Sequence, residues 1–278
     1  MGEDTPNVTA SVPSQGAFQQ TDTVQKIEYP SEQIDLPSKG WFYDQSSPLA
    51  SGTIDIKYMT AKEEDILTSQ NLIKKGVALD RFLSSVIITP GVKLDDVFVG
   101  DKNAILVAAR ILAYGKDYPI KFTDPSTGDQ VEDTIDLTLL EDKDFDFTNH
   151  DRGLNVFKFD LPTCKKTIQW KMLTHADERA IEQELKSMKK FAKNGVSAEM
   201  TTRLKHIIVA VDGNEDRSAV KQFVDTMLAR DSLDLRKHMQ KNTPDLDMTF
   251  EFVSEETGYS ERMQIPLGVD FFYSNTRV

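Results

Sequence analysis

Apolar residues recur along this chain with two different periods, and each change of period marks an element. Ile54, Ile56 and Tyr58 alternate with Asp55 and Lys57, the pattern of a half-buried strand over 53–59. A shorter strand precedes it at 34–36. Thr60-x-x-Glu63 then forms a capping box, which predicts a helix start: the hydroxyl serves the N3 amide and the carboxylate reaches back. Further helices are predicted over 79–87 and 102–114. The second is apolar on nearly every side (Ile105, Leu106, Val107, Ala109, Ile111, Leu112) and is therefore expected in the core. Asp101 stands where it can cap that helix, and Gly115 and Pro119 where they can end it. Strands at 120–123 and 131–137 read as a hairpin around a turn at 124–128.

The same succession returns further on. Thr174-x-x-Asp177 opens a helix predicted over 175–193, ending at Asn194-Gly195. The apolar run 204–211 fits helix or strand. A turn at Asp212-Gly213-Asn214 leads to helices over 217–229 and 232–241, with a cap expected at Asp231-Ser232 and a stop at Pro244. Strands at 248–253 and 262–267 form a second hairpin.

The correspondence extends to residues. Ile34-Asp35-Leu36-Pro37-Ser38 matches Phe159-Asp160-Leu161-Pro162-Thr163. The segment from Ile54 to Glu64 matches that from Ile168 to Glu178. Phe122-Thr123-Asp124-Pro125-Ser126-Thr127-Gly128 matches Phe252-Val253-Ser254-Glu255-Glu256-Thr257-Gly258. Three matches in one order predict an α+β chain of two tandem related modules, each strand, capped helix, helices and β-hairpin. Thr60, Glu63, Thr174, Asp177, Gly128 and Gly258 are the repeated junctions. The expected boundaries are an arm over 1–30, a first module over 31–140, an acidic linker over 141–155 and a second module over 156–278. The arm is rich in Thr, Ser, Gln and Pro and holds too little apolar surface to order itself, so it is expected to dock on a partner. A scaffold built twice favours assembly over a single active site.

Charge narrows the classes. The 278 residues carry a net −12, which repels nucleic-acid phosphates and anionic membrane surfaces. No apolar run reaches membrane-span length. The first residues lack the basic and apolar regions of a signal peptide, and Pro6 breaks the myristoylation pattern. The single cysteine, Cys164, excludes an internal disulfide and a multi-cysteine zinc site.

Candidate chemistry is sparse. Asp142, Asp144 and Asp146 have calcium-loop spacing, but Phe147 and Gly153 stand where such a loop needs Gly and Glu, so a solvated linker is expected. Lys165 and Lys166 could lower the pKa of Cys164; the plainer reading is a loop cysteine. His175, after the capping Thr174, is either a pH-sensitive helix start or a solvent-facing first-turn residue. Acidic residues in the first turns of the capped helices answer the helix dipole without any catalytic role. Lys186, Lys189, Lys190 and Lys193 form a solvated basic face. Two aromatic triplets, Trp41-Phe42-Tyr43 and Phe271-Phe272-Tyr273, cannot each face one core from an extended segment, so they are the expected partner-binding anchors.

An ordered set of segments resembles the baseplate hub assembly family of T-even-like contractile-tailed phages. It comprises Leu36-Pro37-Ser38-Lys39-Gly40, the stretch from Met59 to Leu67, Gly100-Asp101, Arg110-Ile111, the stretch from Tyr114 to Tyr118, Ile135-Asp136-Leu137, and Ile265-Pro266-Leu267-Gly268 before Phe271-Phe272. The resemblance implies a structural or assembly component of the tail baseplate, with no enzymatic activity and no cofactor. Its partners would be other baseplate or tail proteins, or further copies of itself in a symmetric assembly, with neither nucleic acid nor membrane bound. It would reside in the virion tail, and in the host cytoplasm during assembly. Relatives often carry Cys-x-x-Cys at both hairpin tips. The matching positions here are Asp124 and Thr127, and Ser254 and Thr257, so no zinc is expected. The alternatives are a transient tail assembly chaperone and, more remotely, a hydrolase using Cys164.

Overall fold

The computed structural model of the chain describes residues 29–191 and 198–272. Most of the arm, the end of the helix expected to reach 193, and Tyr273 lie outside them.

The alternating strand is β2 (Thr53–Lys57), paired antiparallel with β1 (Ser31–Asp35) so that Ile34 faces Ile54. Ile54 and Ile56 are buried while Asp55 and Lys57 face outward, as period two requires. Thr60 starts α1 (Ala61–Thr68). α2 (Gln70–Lys75) and α3 (Ala78–Val86) follow, then α4 (Val99–Tyr114). The hairpin of β3 (Asp117–Thr123) and β4 (Gln130–Asp136) closes the first half.

The second half opens with β5 (Phe157–Asp160) and β6 (Thr167–Trp170), then α5 (His175–Phe191), α6 (Glu199–Ile207) and β7 (Ile208–Val211). The apolar run 204–211 is thus both helix and strand, and its strand part adds to β6 to give the sheet order β5-β6-β7. α7 (Arg217–Thr226) and α8 (Ala229–Lys241) precede the hairpin of β8 (Thr249–Val253) and β9 (Ser260–Gln264). Eight helices and small antiparallel sheets among the described residues make the fold α+β.

Two expected caps lie inside helices instead. α4 begins at Val99 behind Phe98, and α8 at Ala229 behind Leu228, so Asp101 and Asp231 each stand third in their helix. Both are fully buried. Their carboxylates serve loops rather than the helix start.

One apolar cluster runs through both halves. The segment 141–155 is woven into it. Phe145 and Phe147 pack beside Phe42, and Lys143 N–H and Asp247 N–H form backbone bonds joining 141–143 to 245–247. The two hairpins meet through Phe122 and Phe252, whose rings lie 4.9 Å apart. α4 crosses the 244–245 segment so closely that a Cβ on Gly100 would sit 2.3 Å from the Pro244 carbonyl oxygen.

Candidate functional site

The two capped junctions are built from the same three positions. In the first, the Glu63 carboxylate accepts from the Thr60 N–H (3.0 Å) and hydroxyl (2.5 Å), from Lys57 Nζ (2.7 Å) and from the Ser85 hydroxyl (2.6 Å). Burial alone would raise its pKa, but the hydrogen bonds from Lys57, Ser85 and Thr60 hold it at about 2. In the second, Asp177 accepts from the Thr174 N–H (3.1 Å) and from Lys171 Nζ (2.7 Å). The lysine three residues before each threonine was in plain view in the sequence. Its role emerges only once the strand delivers it to the helix start.

A second paired device joins each Leu-Pro-Ser/Thr loop to a helix. Asp101 accepts from Ser38 N–H (2.9 Å), the Ser38 hydroxyl (2.7 Å) and the Tyr43 hydroxyl (2.6 Å). Tyr43 in turn accepts from Phe98 N–H (2.9 Å). Asp231 accepts from Thr163 N–H (2.8 Å) and Cys164 N–H (3.0 Å). Burial pushes Asp101 up to about 6 against the opposing pull of its hydrogen bonds. Burial and the neighbouring Asp101 charge raise Tyr43 well above its ordinary value.

The hairpin tips also correspond. Asp124 N–H bonds Asp129 and Gly128 N–H bonds Asp124; Ser254 N–H bonds Tyr259 and Gly258 N–H bonds Ser254. Gly128 and Gly258 adopt φ of 83° and 68°, a left-handed conformation that costs a side chain strain. The tips touch: the Ser126 and Thr257 hydroxyls lie 2.8 Å apart. Of the four positions matching the relatives' cysteines, Asp124 and Ser254 lie side by side and Thr257 touches the first tip through Ser126. Ser254 beside Asp124, with the Ser126 hydroxyl and backbone, holds that carboxyl down at about 2, although the Ser254 hydroxyl does not reach good hydrogen-bond geometry.

Four of the six triplet residues are not the exposed anchors expected of them, and Tyr273 lies outside the described residues. Phe42, Tyr43, Phe271 and Phe272 are all at most 5% exposed. Phe42 packs on Phe157 and Phe145, Tyr43 stacks on Phe98, Phe271 packs on Tyr118, and Phe272 on Phe82. Neither segment is extended chain. Backbone bonds from Lys39 to Leu36 and from Trp41 to Ser38 show a coiled loop, and Phe271 lies in a single 3-10 turn, so neighbouring rings enter one core. Trp41 is half-buried, with its indole N–H on the His150 carbonyl (2.9 Å).

Other candidates resolve similarly. Burial raises the Cys164 thiol pKa, with Asp231 adding to it, the reverse of the lowering its lysines could have produced. His175 is 4% exposed, not solvent-facing; Nε2 lies 3.2 Å from Asp80 Oδ1 at the edge of a cavity of about 390 Å3 between the halves. Asp146 accepts from Thr148 and Asn149 within its own turn. Among the described residues, no group of three His, Cys, Asp or Glu is placed to hold a metal ion. No helix among them is long and apolar enough to cross a membrane.

The buried carboxylates Glu63, Asp101 and Asp231 fasten strand ends and loops to helices, as in a scaffold. The chain matches the family described as T4 bacteriophage base plate protein over residues 35–273 and belongs to it. It is a T4-like phage baseplate protein. Comparison with curated proteins and with solved structures gave no match.

Proposed function

We propose that this chain is a structural subunit of the hub region of the tail baseplate, acting by binding other baseplate or tail proteins. The observation that carries the reading is the family match, which spans both halves and the segment between them. The repeated junctions, loop clamps and hairpin tips support a duplicated module as its framework. With Phe42, Tyr43, Phe271 and Phe272 committed to the core, binding falls to the exposed helices, the hairpin tips and the arm over 1–30.

Mass spectrometry of purified virions tests the reading. Stoichiometric presence, with labelling of the particle at the centre of the baseplate, is the expected result. A chain abundant in infected cells and missing from finished particles would instead be a transient assembly chaperone. Presence at the baseplate periphery would remove the hub assignment and leave the structural one.

A further inference from the structure

Charge is distributed unevenly along the chain. Residues 156–241 hold 17 Lys and Arg against 12 Asp and Glu, a net +5, while the remainder holds a net −17. The basic stretch is one body, the β5-β6-β7 sheet with α5 to α8. Between α6 and α8 it carries a groove of about 420 Å3 lined by Met200, Leu204, Ile207 and Met239, with Arg203 and Arg236 at its rim. Met200 is 44% exposed, and Leu233, on the same helix as Arg236, is 42% exposed. Glu199, also at the rim, pairs with Arg203 at 3.6 Å. Arg236 has no carboxylate within 4 Å among the described residues and donates to the Ser232 carbonyl.

The acidic remainder carries a shape of matching character, the tip of the β8–β9 hairpin. Val253 (54% exposed) and Tyr259 (42%) flank its turn, which presents Glu255 and Glu256 to solvent. Neither glutamate has a cationic partner within 4 Å among the described residues. The tip cannot turn back onto its own groove, because Phe122 and Ser126 of the first hairpin hold it through Phe252 and Thr257.

We infer that the α6–α8 groove receives the β8–β9 tip of a second copy of this chain, Val253 and Tyr259 entering the apolar floor and Glu255 and Glu256 meeting Arg203 and Arg236. The surfaces differ, so the contact is heterologous and propagates head to tail until rotation closes a ring. A tip in a groove is a small interface, so association is weak alone and falls with salt. The inference goes beyond the proposed function, and virion mass spectrometry is independent of it.

Sedimentation velocity of the full chain across concentration, at low and high salt, is the test. The wild type should associate with rising concentration. Arg236→Glu and the pair Glu255→Lys/Glu256→Lys should each raise the concentration needed at least about tenfold. The chain carrying all three changes should associate again, since the complementarity is restored in reverse. All three substituted positions are exposed, so the thermal transition should not move. A wild type that stays monomeric at every concentration overturns the inference, as do variants that associate like the wild type. It is equally overturned if the groove captures another purified baseplate protein, sensitive to Arg236→Glu, while the chain itself remains monomeric.

Discussion

Asp101 and Asp231 stand third in α4 and α8 and accept the backbone N–H of equivalent loops, yet they titrate in opposite directions. Burial pushes Asp101 up to about 6. Burial also opposes ionisation of Asp231, but the hydrogen bonds from Thr163 and Cys164 prevail and its pKa is lowered. The loops explain the difference. Pro37 and Ser38 are buried, whereas Pro162 and Thr163 are exposed. The second half lies over the first: Phe98 bridges to Thr174, and Phe157 packs on Phe42. One local motif thus becomes a core element in one half and a surface clasp in the other. The two clamps are alike in their bonds and unequal in the burial of the loops they hold.

The strongest way to break this picture is at Phe271, the second-half residue that completes the first-half core. Phe271→Ala should cost about 3–5 kcal/mol, the usual loss for a buried aromatic. The shared core means that calorimetry should show one transition moving down, not two separating. Two transitions would make the halves independent.

Next comes the pH dependence set by Asp101 in the first half, opposite in sign to that of Asp231 in the second. The folded pKa of Asp101, about 6, lies above its ordinary 3.8, so the folded chain binds the extra proton between those values. Its contribution is fully present below pH 3.8 and is lost as pH rises through 6, at most about 2–3 kcal/mol. Glu63 has the opposite sign: held at about 2 against an ordinary 4.5, it contributes above pH 4.5 and loses that as pH falls toward 2. Urea unfolding from pH 3 to 7 should show Asp101→Asn removing a decline between 4 and 6. An unchanged slope would refute the assignment.

At the capped junctions the comparison is graded. The Glu63 side chain is fully buried and that of Asp177 is 19% exposed. Glu63→Ala should therefore cost about 2 kcal/mol and Asp177→Ala about 1. Equal costs would mean that Ser85, which has no counterpart bonded to Asp177 among the described residues, adds nothing. The smallest effect belongs to the hairpin tips. Gly128→Ala and Gly258→Ala should each cost about 1 kcal/mol from strain at positive φ, since the space around both is open. A neutral result at one tip would show that its turn relaxes.

Much of this molecule was legible before folding. The strand at Thr53–Lys57 announces itself by its alternation, and both capping threonines and both hairpins by contacts local in the chain, which leave spacing in the sequence. The apolar run 204–211 stayed open because periodicity cannot tell a buried strand from the end of a buried helix. Asp101 and Asp231 were read as caps because a carboxylate near a helix start usually is one. Their partners lie 58 to 68 residues away, where no local pattern points.

The sequence by itself determined the order of elements, the repeated junctions and the acidic balance, all fixed by composition or short-range geometry. Only the tertiary structure decided where the side chains went. It sent Phe42, Tyr43, Phe271 and Phe272 inward, closed the linker over Phe42, and left Met200, Arg236 and the β8–β9 tip exposed. The reason is that burial depends on what packs opposite, and a residue's own neighbours in the chain do not carry that information.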